Sequence, residues 1–350
     1  MNSTGAAPPG RTLAVFHLAD ASGPSLSLRA ELAWLASGGP VEVVVPGDSS
    51  AAEAFGAFAE VTVLDYETLS RPRGLGGAVR LARRMARDTR TFREHIRRSR
   101  PARVVVVTTA LPAALLAAHT ERVPTLLYAG EVLPAGPGLG TRLGTAVVLR
   151  VARSRSTAVV CCSDAVAGQF EARGAPRPTI AYPPIGEHYA DGDRQGMRER
   201  LGIPPESPCV VAAGSISRGR GQDVLLRALP ALRREVGDVR VVIAGEPHPR
   251  PLDRDYRREL AELARRLGVD GVTVFPGFVE RMADLYAAAD VVVNPALQEG
   301  FGRVAAEALV AGRPVVSTAV GGVPEVLRAG VDALLVPPAD PAALAAAVAK

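Results

Sequence analysis

The stretch VVVNPALQEGFGRVAAEALVAGRPVVS, residues 291–317, carries the repeating unit of the fold in one line. Val291 to Asn294 is a short β-branched apolar run bounded by a proline, which reads as a buried strand. A loop with Glu299, Gly300, Phe301 and Gly302 follows. Arg303 to Val310 is rich in Ala, Val and Leu and reads as a helix, and Pro314 to Ser317 is again a strand. A strand, a helix and another strand in succession is the pattern of a βαβ unit in a parallel sheet.

The same rhythm extends outward in both directions. Upstream, strands are expected at Leu13 to Leu18, Val41 to Val45, Val61 to Leu64, Val104 to Val107, Thr125 to Tyr128, Ala158 to Cys162 and Thr179 to Tyr182. In the second half they fall at Cys209 to Ala213, Val239 to Ala244, Val272 to Phe275 and Ala333 to Val336, besides the two already named. The fold class is therefore α/β with parallel sheets. The polar, Pro- and Gly-containing stretch from Pro183 to Pro208 interrupts the pattern and reads as a linker, with a boundary near Gly186. A chain of 350 residues supports two cores. The expected domains are 1–186 and 187–350.

Composition excludes several classes. With 47% hydrophobic and 22% charged residues the chain is a folded globular protein. Its first ten residues, MNSTGAAPPG, lack the basic start and apolar stretch of a signal peptide. The longest apolar run, Val104 to Ala118, is broken by Pro112 and is shorter than the ~18 residues of a membrane span. Cys161, Cys162 and Cys209 lie in or beside apolar strands with no Cys-x-x-Cys, which predicts reduced core packing and a cytoplasmic setting.

In open parallel sheets ligands lie beyond the carboxyl ends of strands. The loop Ala19 to Ser25 leads into a helix expected to run to about Leu35, and Gly23 and Ser25 at its start are candidates for an acceptor hydroxyl or an anion, with a plain turn and N-cap as the alternative. In the second half the loop from Glu299 to Gly302 lets backbone approach a ligand closely, and the free amides of the following helix start favour a phosphate. Glu307 lies eight residues after Glu299. If the intervening chain is mostly helical, the two carboxylates stand on the order of 12 Å apart, which suits two ends of one extended ligand. Two acids acting on one glycosidic bond need roughly 5 to 9.5 Å. Alternatively Glu307 pairs with Arg303 on a surface helix for about 0.3 to 0.5 kcal/mol, and Glu299 is a solvated acid.

Glu299-Gly-Phe-Gly followed by Glu307 resembles the Glu-x(7)-Glu signature of the retaining glycosyltransferases of family 4, or group 1, which have the GT-B fold of two Rossmann-like domains facing a cleft. GSISRGRGQDVLLRAL from Gly214, FPGFVERMADLYAAADVVVNPA from Phe275 and GGVPE from Gly321 are similar to further segments of that family, in its order and spacing, and IAYPPIG at Ile180 resembles the strand that closes its first domain. The resemblance covers the second half and implies the following roles. Glu307 accepts from the ribose hydroxyls. Glu299 with Gly300, Phe301, Gly302 and Arg303 holds the donor sugar and its phosphate. Arg220, where the family usually has Lys, neutralises the departing diphosphate, with Gly214, Ser215 and Arg218 around it. Gly277, Phe278 and Val279 meet the nucleobase. Glu299 and Arg220 are thus the expected catalytic pair. The substrates implied are a nucleoside diphosphate sugar and an acceptor hydroxyl compound, used with retention and without metal or other cofactor, in the synthesis of cell envelope, polysaccharide or glycoconjugate.

Three departures stand against the family pattern. Ser215 occupies the place of a common Arg, so one of two cations on the phosphate is missing unless Arg218 reaches it, and leaving-group stabilisation is then weaker. No His follows the fifth strand, where Tyr128 leads to Ala129, Gly130 and Glu131, leaving Glu131 as the acceptor-side candidate. The chain ends at Lys350 inside an expected helix, where family members continue, so a shortened C-terminus is expected. A degenerate, non-catalytic binding protein and a GT-B epimerase or phosphorylase remain as alternatives. Asp191-Gly-Asp193 and Asp253-Arg-Asp255 match Asp-x-Asp but follow no apolar strand, so they read as solvated loop acids. GPGLGTRLG from Gly136 fails the dinucleotide pattern in register.

The net charge of +5 is unevenly spread: from Arg71 to Arg103 twelve arginines face only Asp88 and Glu94. Within that segment Val79, Ala82, Met85, Ala86, Thr89, Phe92 and Ile96 make one helical stripe. Such a helix either packs in the core with a solvated charged face or docks peripherally on an anionic membrane at the cytoplasmic leaflet. Nucleic acid is not expected, because no aromatic residues interleave with the arginines.

Overall fold

The computed structural model describes residues 9–17, 23–47, 55–69, 74–133, 139–171, 177–247 and 251–350. The chain divides into two compact units, Met1–Pro183 and Pro184–Lys350. All thirteen expected strands form, with ends within a few residues of those read from the sequence.

In the first unit β1 (Thr12–Val15), β2 (Val41–Pro46), β3 (Glu60–Leu64), β4 (Arg103–Val106), β5 (Thr125–Ala129), β6 (Ala158–Cys161) and β7 (Thr179–Ile180) make a parallel sheet of order β3-β2-β1-β4-β5-β6-β7. Every residue of β1 is buried, as a central strand covered on both faces must be. The strand order reverses between β1 and β4, which makes the carboxyl ends of these two strands the switch point of this sheet.

The second unit repeats the scheme. Here β8 (Cys209–Ala213), β9 (Arg240–Ala244), β10 (Thr273–Gly277), β11 (Val291–Asn294), β12 (Val315–Thr318) and β13 (Leu334–Val336) pair in parallel as β10-β9-β8-β11-β12-β13. Along β8 the side chains alternate between two cores. Val210 and Ala212 join Leu225 and Leu229 on one face, while Cys209 and Val211 join Leu285 and Tyr286 on the other. The switch point lies between β8 and β11.

The stretch 183–208 is not a linker but the folded start of this second unit. Asp193 caps the helix Arg194–Leu201 through Gly196 N at 2.9 Å, and Gly202 ends it in a left-handed conformation (φ 65°). Arg198, 5% exposed, donates to the carbonyls of Ala288, Pro204, Pro205 and Ser207 and so ties this helix to the loop that follows it and to the end of the helix Met282–Ala288. A composition rich in polar residues and prolines concealed these caps. Asp253 and Asp255, expected in a loop, lie on the helix Pro251–Arg266.

The arginine-rich segment is the helix Gly74–Ser99, packed on the helix Pro112–Thr120. Its apolar stripe is buried only toward the C-terminal end, at Phe92 and Ile96, whereas Val79 is 51% exposed. Several of its arginines are paired: Arg84 with Glu67, Arg87 with Asp65 and Asp88, and Arg93 and Arg97 with Glu121. Of the segment Ala19 to Ser25, residues 19–22 lie outside the described residues. Gly23 and Ser25 fall in the first turn of the helix Gly23–Ala36 that follows β1. All three cysteines are free and buried, and burial pushes the Cys161 and Cys209 thiols up to about 12.

Candidate active site

Two loops meet at the switch point of the second sheet. After β8 the chain passes through Gly214 (φ 124°), a tight turn at Arg218–Arg220 and Gly221 (φ 67°) into the helix Gln222–Val236. After β11 it runs from Pro295 to Gly302 (φ 97°) into the helix Arg303–Val310. Their backbones interlock: Gly219 O accepts from Leu297 N at 2.8 Å and Gln298 N at 3.3 Å, and a Cβ on Gly221 would lie 2.0 Å from Pro295 O. Only glycine permits that approach. On the other side Gly245 N donates to Gly277 O at 2.8 Å, and a Cβ on Gly245 would lie 2.0 Å from Gly214 O. Gly277, Gly245 and Gly214 therefore line up along the carboxyl ends of β10, β9 and β8.

This interlock brings charged side chains together. Arg220 Nη1 donates to Glu299 Oε2 at 2.5 Å, with the Glu299 side chain only 10% exposed and Arg220 37% exposed. Glu299 Oε1 also accepts from Gly300 N at 3.2 Å. Gly302 caps its helix with no side-chain bond, so the first amides of Arg303–Val310 have no side-chain acceptor and carry the partial positive charge of the helix start. A guanidinium with four further N–H donors and an uncapped helix start form a site for an anion. Phe301 is buried at 8% exposure, and Ser215 is held by its carbonyl, which accepts from Gln222 Nε2 at 3.0 Å.

Glu307 departs furthest from the surface ion pair that spacing alone allowed. It is 6% exposed. Oε1 accepts from Arg303 Nε at 2.8 Å and Tyr189 O–H at 3.0 Å, and Oε2 accepts from Tyr286 O–H at 2.7 Å. Burial, reinforced by the Glu307 charge, holds the Tyr286 phenol well above its ordinary value and raises that of Tyr189, so both remain donors. Burial works against the charge of Arg303, yet Glu307 and Tyr189 raise its pKa overall. Neither tyrosine was legible as a site residue. They stand 118 and 21 residues from Glu307 in the chain, and only packing brings them together.

Arg218 is turned elsewhere. It donates to both Glu259 oxygens at 2.7 and 2.6 Å and lies over the Tyr256 ring at 5.0 Å, so it is not held beside Arg220 as a second phosphate cation. Phe278 is 69% exposed beyond β10, and Val279 is half-buried. Among the described residues no three His, Cys, Asp or Glu side chains cluster to hold a metal ion.

In the first unit Glu131, after β5, reaches across to the loop after β4. Its Oε1 accepts from Thr108 Oγ1 at 2.8 Å, Thr109 N at 2.6 Å and Thr109 Oγ1, and Oε2 accepts from Gly130 N at 3.1 Å. The carboxylate is a staple between two strand ends, and a ligand hydroxyl could approach only Oε2.

Residues 207–350 match the family described as glycosyl transferases group 1. Separately, this chain is 46% identical over 154 residues to a D-inositol 3-phosphate glycosyltransferase of Xylanimonas cellulosilytica, covering 43% of this chain and 36% of that protein. A protein of the same name from Geodermatophilus obscurus is 38% identical over 184 residues, covering 49% of this chain and 40% of that one. The matches thus span well under half of these relatives. Over the whole chain the fold is similar to Anabaena Alr3699/HepE solved with UDP and glucose, with a TM-score of 0.78, 23% identity and coverage of 96% and 88%. WaaG, a glycosyltransferase involved in lipopolysaccharide biosynthesis, is similar at a TM-score of 0.68 and 21% identity, covering 97% and 90%. The two parallel-sheet units are those of the GT-B fold.

Proposed function

We propose that this chain, whose residues 207–350 match the group 1 glycosyltransferases, transfers a hexose from a nucleoside diphosphate sugar to an acceptor hydroxyl, with retention and without a metal. The observation that carries the proposal is the Arg220–Glu299 pair beside the uncapped start of the helix Arg303–Val310 at the β8/β11 switch point. The diphosphate lies against the amides of that helix and the remaining N–H donors of Arg220. Glu299 orients the hexose, Glu307 accepts from the ribose, and Phe278 meets the base. The C1–O bond to the phosphate breaks as the acceptor oxygen bonds to C1 on the same face, and the departing phosphate takes the acceptor proton. Positioning and stabilisation of the leaving charge supply the rate.

The reaction belongs in the cytoplasm, in building envelope polysaccharide or glycoconjugate. Thermal-shift screening of UDP, GDP and ADP sugars identifies the donor, and NMR of the product decides the anomeric outcome. An inverted product overturns retention, and free sugar as the main product without acceptor favours another class.

A second proposal concerns where the acceptor is met. Val79, Leu143 and Val147 are 51%, 58% and 60% exposed. They lie on the helices Gly74–Ser99 and Leu139–Arg155, which both pack on the helix Pro112–Thr120, among exposed arginines such as Arg80, Arg83 and Arg150. A basic surface with protruding apolar side chains suits an anionic membrane carrying a lipid-linked acceptor.

A further inference from the structure

Parallel pairing of β11 with β12 runs from Val292 opposite Val315 to Asn294 opposite Ser317 and ends there. The next residue is Pro295, which has no N–H to give to a ladder. The chain nevertheless stays fastened to β12. Thr318, 1% exposed, donates from Oγ1 to Ala296 O at 2.5 Å. A hydroxyl has one proton, and Asn294 O lies farther off at 3.4 Å, so the bond goes to Ala296. Ala296 is fully buried, and among the described residues its carbonyl has no other donor. Beside this contact the buried Asn294 Nδ2 donates to Ser317 Oγ at 3.1 Å.

The following residues are held from the opposite side. Leu297 N and Gln298 N both donate to Gly219 O, and Gly322 N, from the loop after β12, reaches Glu299 O at 3.4 Å. Residues 296–298 are thus clamped between β12 and the loop after β8. Glu299 follows the clamp directly, as Arg220 follows Gly219.

We infer that Thr318 is a positioning residue: its buried hydroxyl holds the loop after β11 in place where Pro295 ends the ladder, and so aims Glu299 and Arg220 at each other. Its functional consequence rests on the proposed donor site, since Thr318 is too deeply buried to meet a ligand and acts only through the loop. Valine has nearly the shape of threonine without the hydroxyl. Thr318→Val leaves Ala296 O buried with no donor, and the segment must shift to satisfy it. Thr318→Ser keeps the donor and gives up only a methyl group.

Two measurements on the full chain test this, with folding of each variant checked by thermal melting. Amide exchange at Leu297 and Gln298, followed by NMR, needs no ligand: it should quicken about ten-fold in Thr318→Val, the equivalent of one hydrogen bond, and stay within about two-fold of wild type in Thr318→Ser. Calorimetry with UDP, GDP and ADP finds the diphosphate that wild type binds best. Its affinity should fall about ten-fold in Thr318→Val, as the charged bond from Arg220 is misdirected, and return to within about two-fold in Thr318→Ser. Packing alone predicts the opposite order, because serine leaves a cavity that valine fills. A Thr318→Val protein with wild-type exchange and affinity overturns the inference, and so does a serine variant as impaired as the valine one. If none of the three diphosphates binds wild type, the donor site is refuted and the functional role of Thr318 falls with it, while the exchange result separates that failure from failure of the clamp.

Discussion

Arg220 and Glu299, 79 residues apart in the chain, meet at 2.5 Å because glycine backbones let the loop after β8 lie against the loop after β11. The contact leaves most of the guanidinium free for a ligand while fixing its direction. Arg220→Ala should lower kcat by about 10²- to 10³-fold, the range for removing one preorganised donor to a developing negative charge. Arg220→Lys should fall between, keeping the charge but losing the fork. Steady-state kinetics with the donor found by screening checks both, and an unchanged kcat in Arg220→Ala would remove Arg220 from leaving-group stabilisation.

Glu307→Ala should be costly to the fold as well as to the site. It strips the acceptor from two buried tyrosine hydroxyls and from Arg303, and breaking such a buried pair costs about 3 kcal/mol. Denaturant unfolding should show that loss, while Glu299→Ala, which unpairs only the part-exposed Arg220 and the Gly300 amide, should lose less stability and mainly blur discrimination between donor sugars.

Gly221→Ala places a methyl against the Pro295 carbonyl and forces a side chain into a left-handed conformation. A loss of about 1 to 3 kcal/mol is expected from the backbone conformation alone. Nucleotide affinity should fall with it, because the interlock that aims Arg220 opens. Gly202→Ala, also left-handed (φ 65°) but with nothing within 4 Å of its Cβ, is the control: comparable backbone strain with no effect on nucleotide binding.

The pH dependence of stability should carry a contribution from Asp290. Burial raises its pKa, but Cys209 N–H, Arg194 and Arg198 outweigh that and hold it below its ordinary 3.8. A depressed folded pKa means the stabilisation is fully present above the unfolded value and is lost as pH falls through the folded one. Asp290→Asn should therefore be about 1 kcal/mol less stable than wild type at neutral pH, a modest figure because the carboxylate is partly solvated. The gap should close below pH 3.8, as followed by urea melts across the acid range.

Vesicle sedimentation tests the basic surface of the first unit. Binding to anionic vesicles should be strong at low salt and weaken as salt rises, and replacing Leu143 and Val147 by Ser should weaken it without altering the melting temperature. No binding at low salt would leave the acceptor to be a soluble molecule.

The sequence by itself determined the strands and their parallel pairing. β-Branched runs such as Val291–Asn294 and Cys209–Ala213 have few alternatives to burial on both faces, and the helical crossovers between them are long enough for the parallel pairing that such buried strands favour. It also placed the loop around Glu299 and the helix that carries Glu307, because glycine followed by a helical run is a local signal. What it could not supply was the company each side chain keeps. The arginines on either side of Gly219 are equivalent in spacing, yet Arg220 reaches Glu299 while Arg218 turns to Glu259 and Tyr256. Glu307 looked like half of a surface ion pair until Tyr189 and Tyr286 arrived from distant segments, and Asp193 looked like a loop acid until it capped a helix. Secondary structure follows from local periodicity and burial, whereas the partner of a polar group depends on which loops the sheet order brings to the same edge. That order, with its reversal between β8 and β11, exists only in the folded chain.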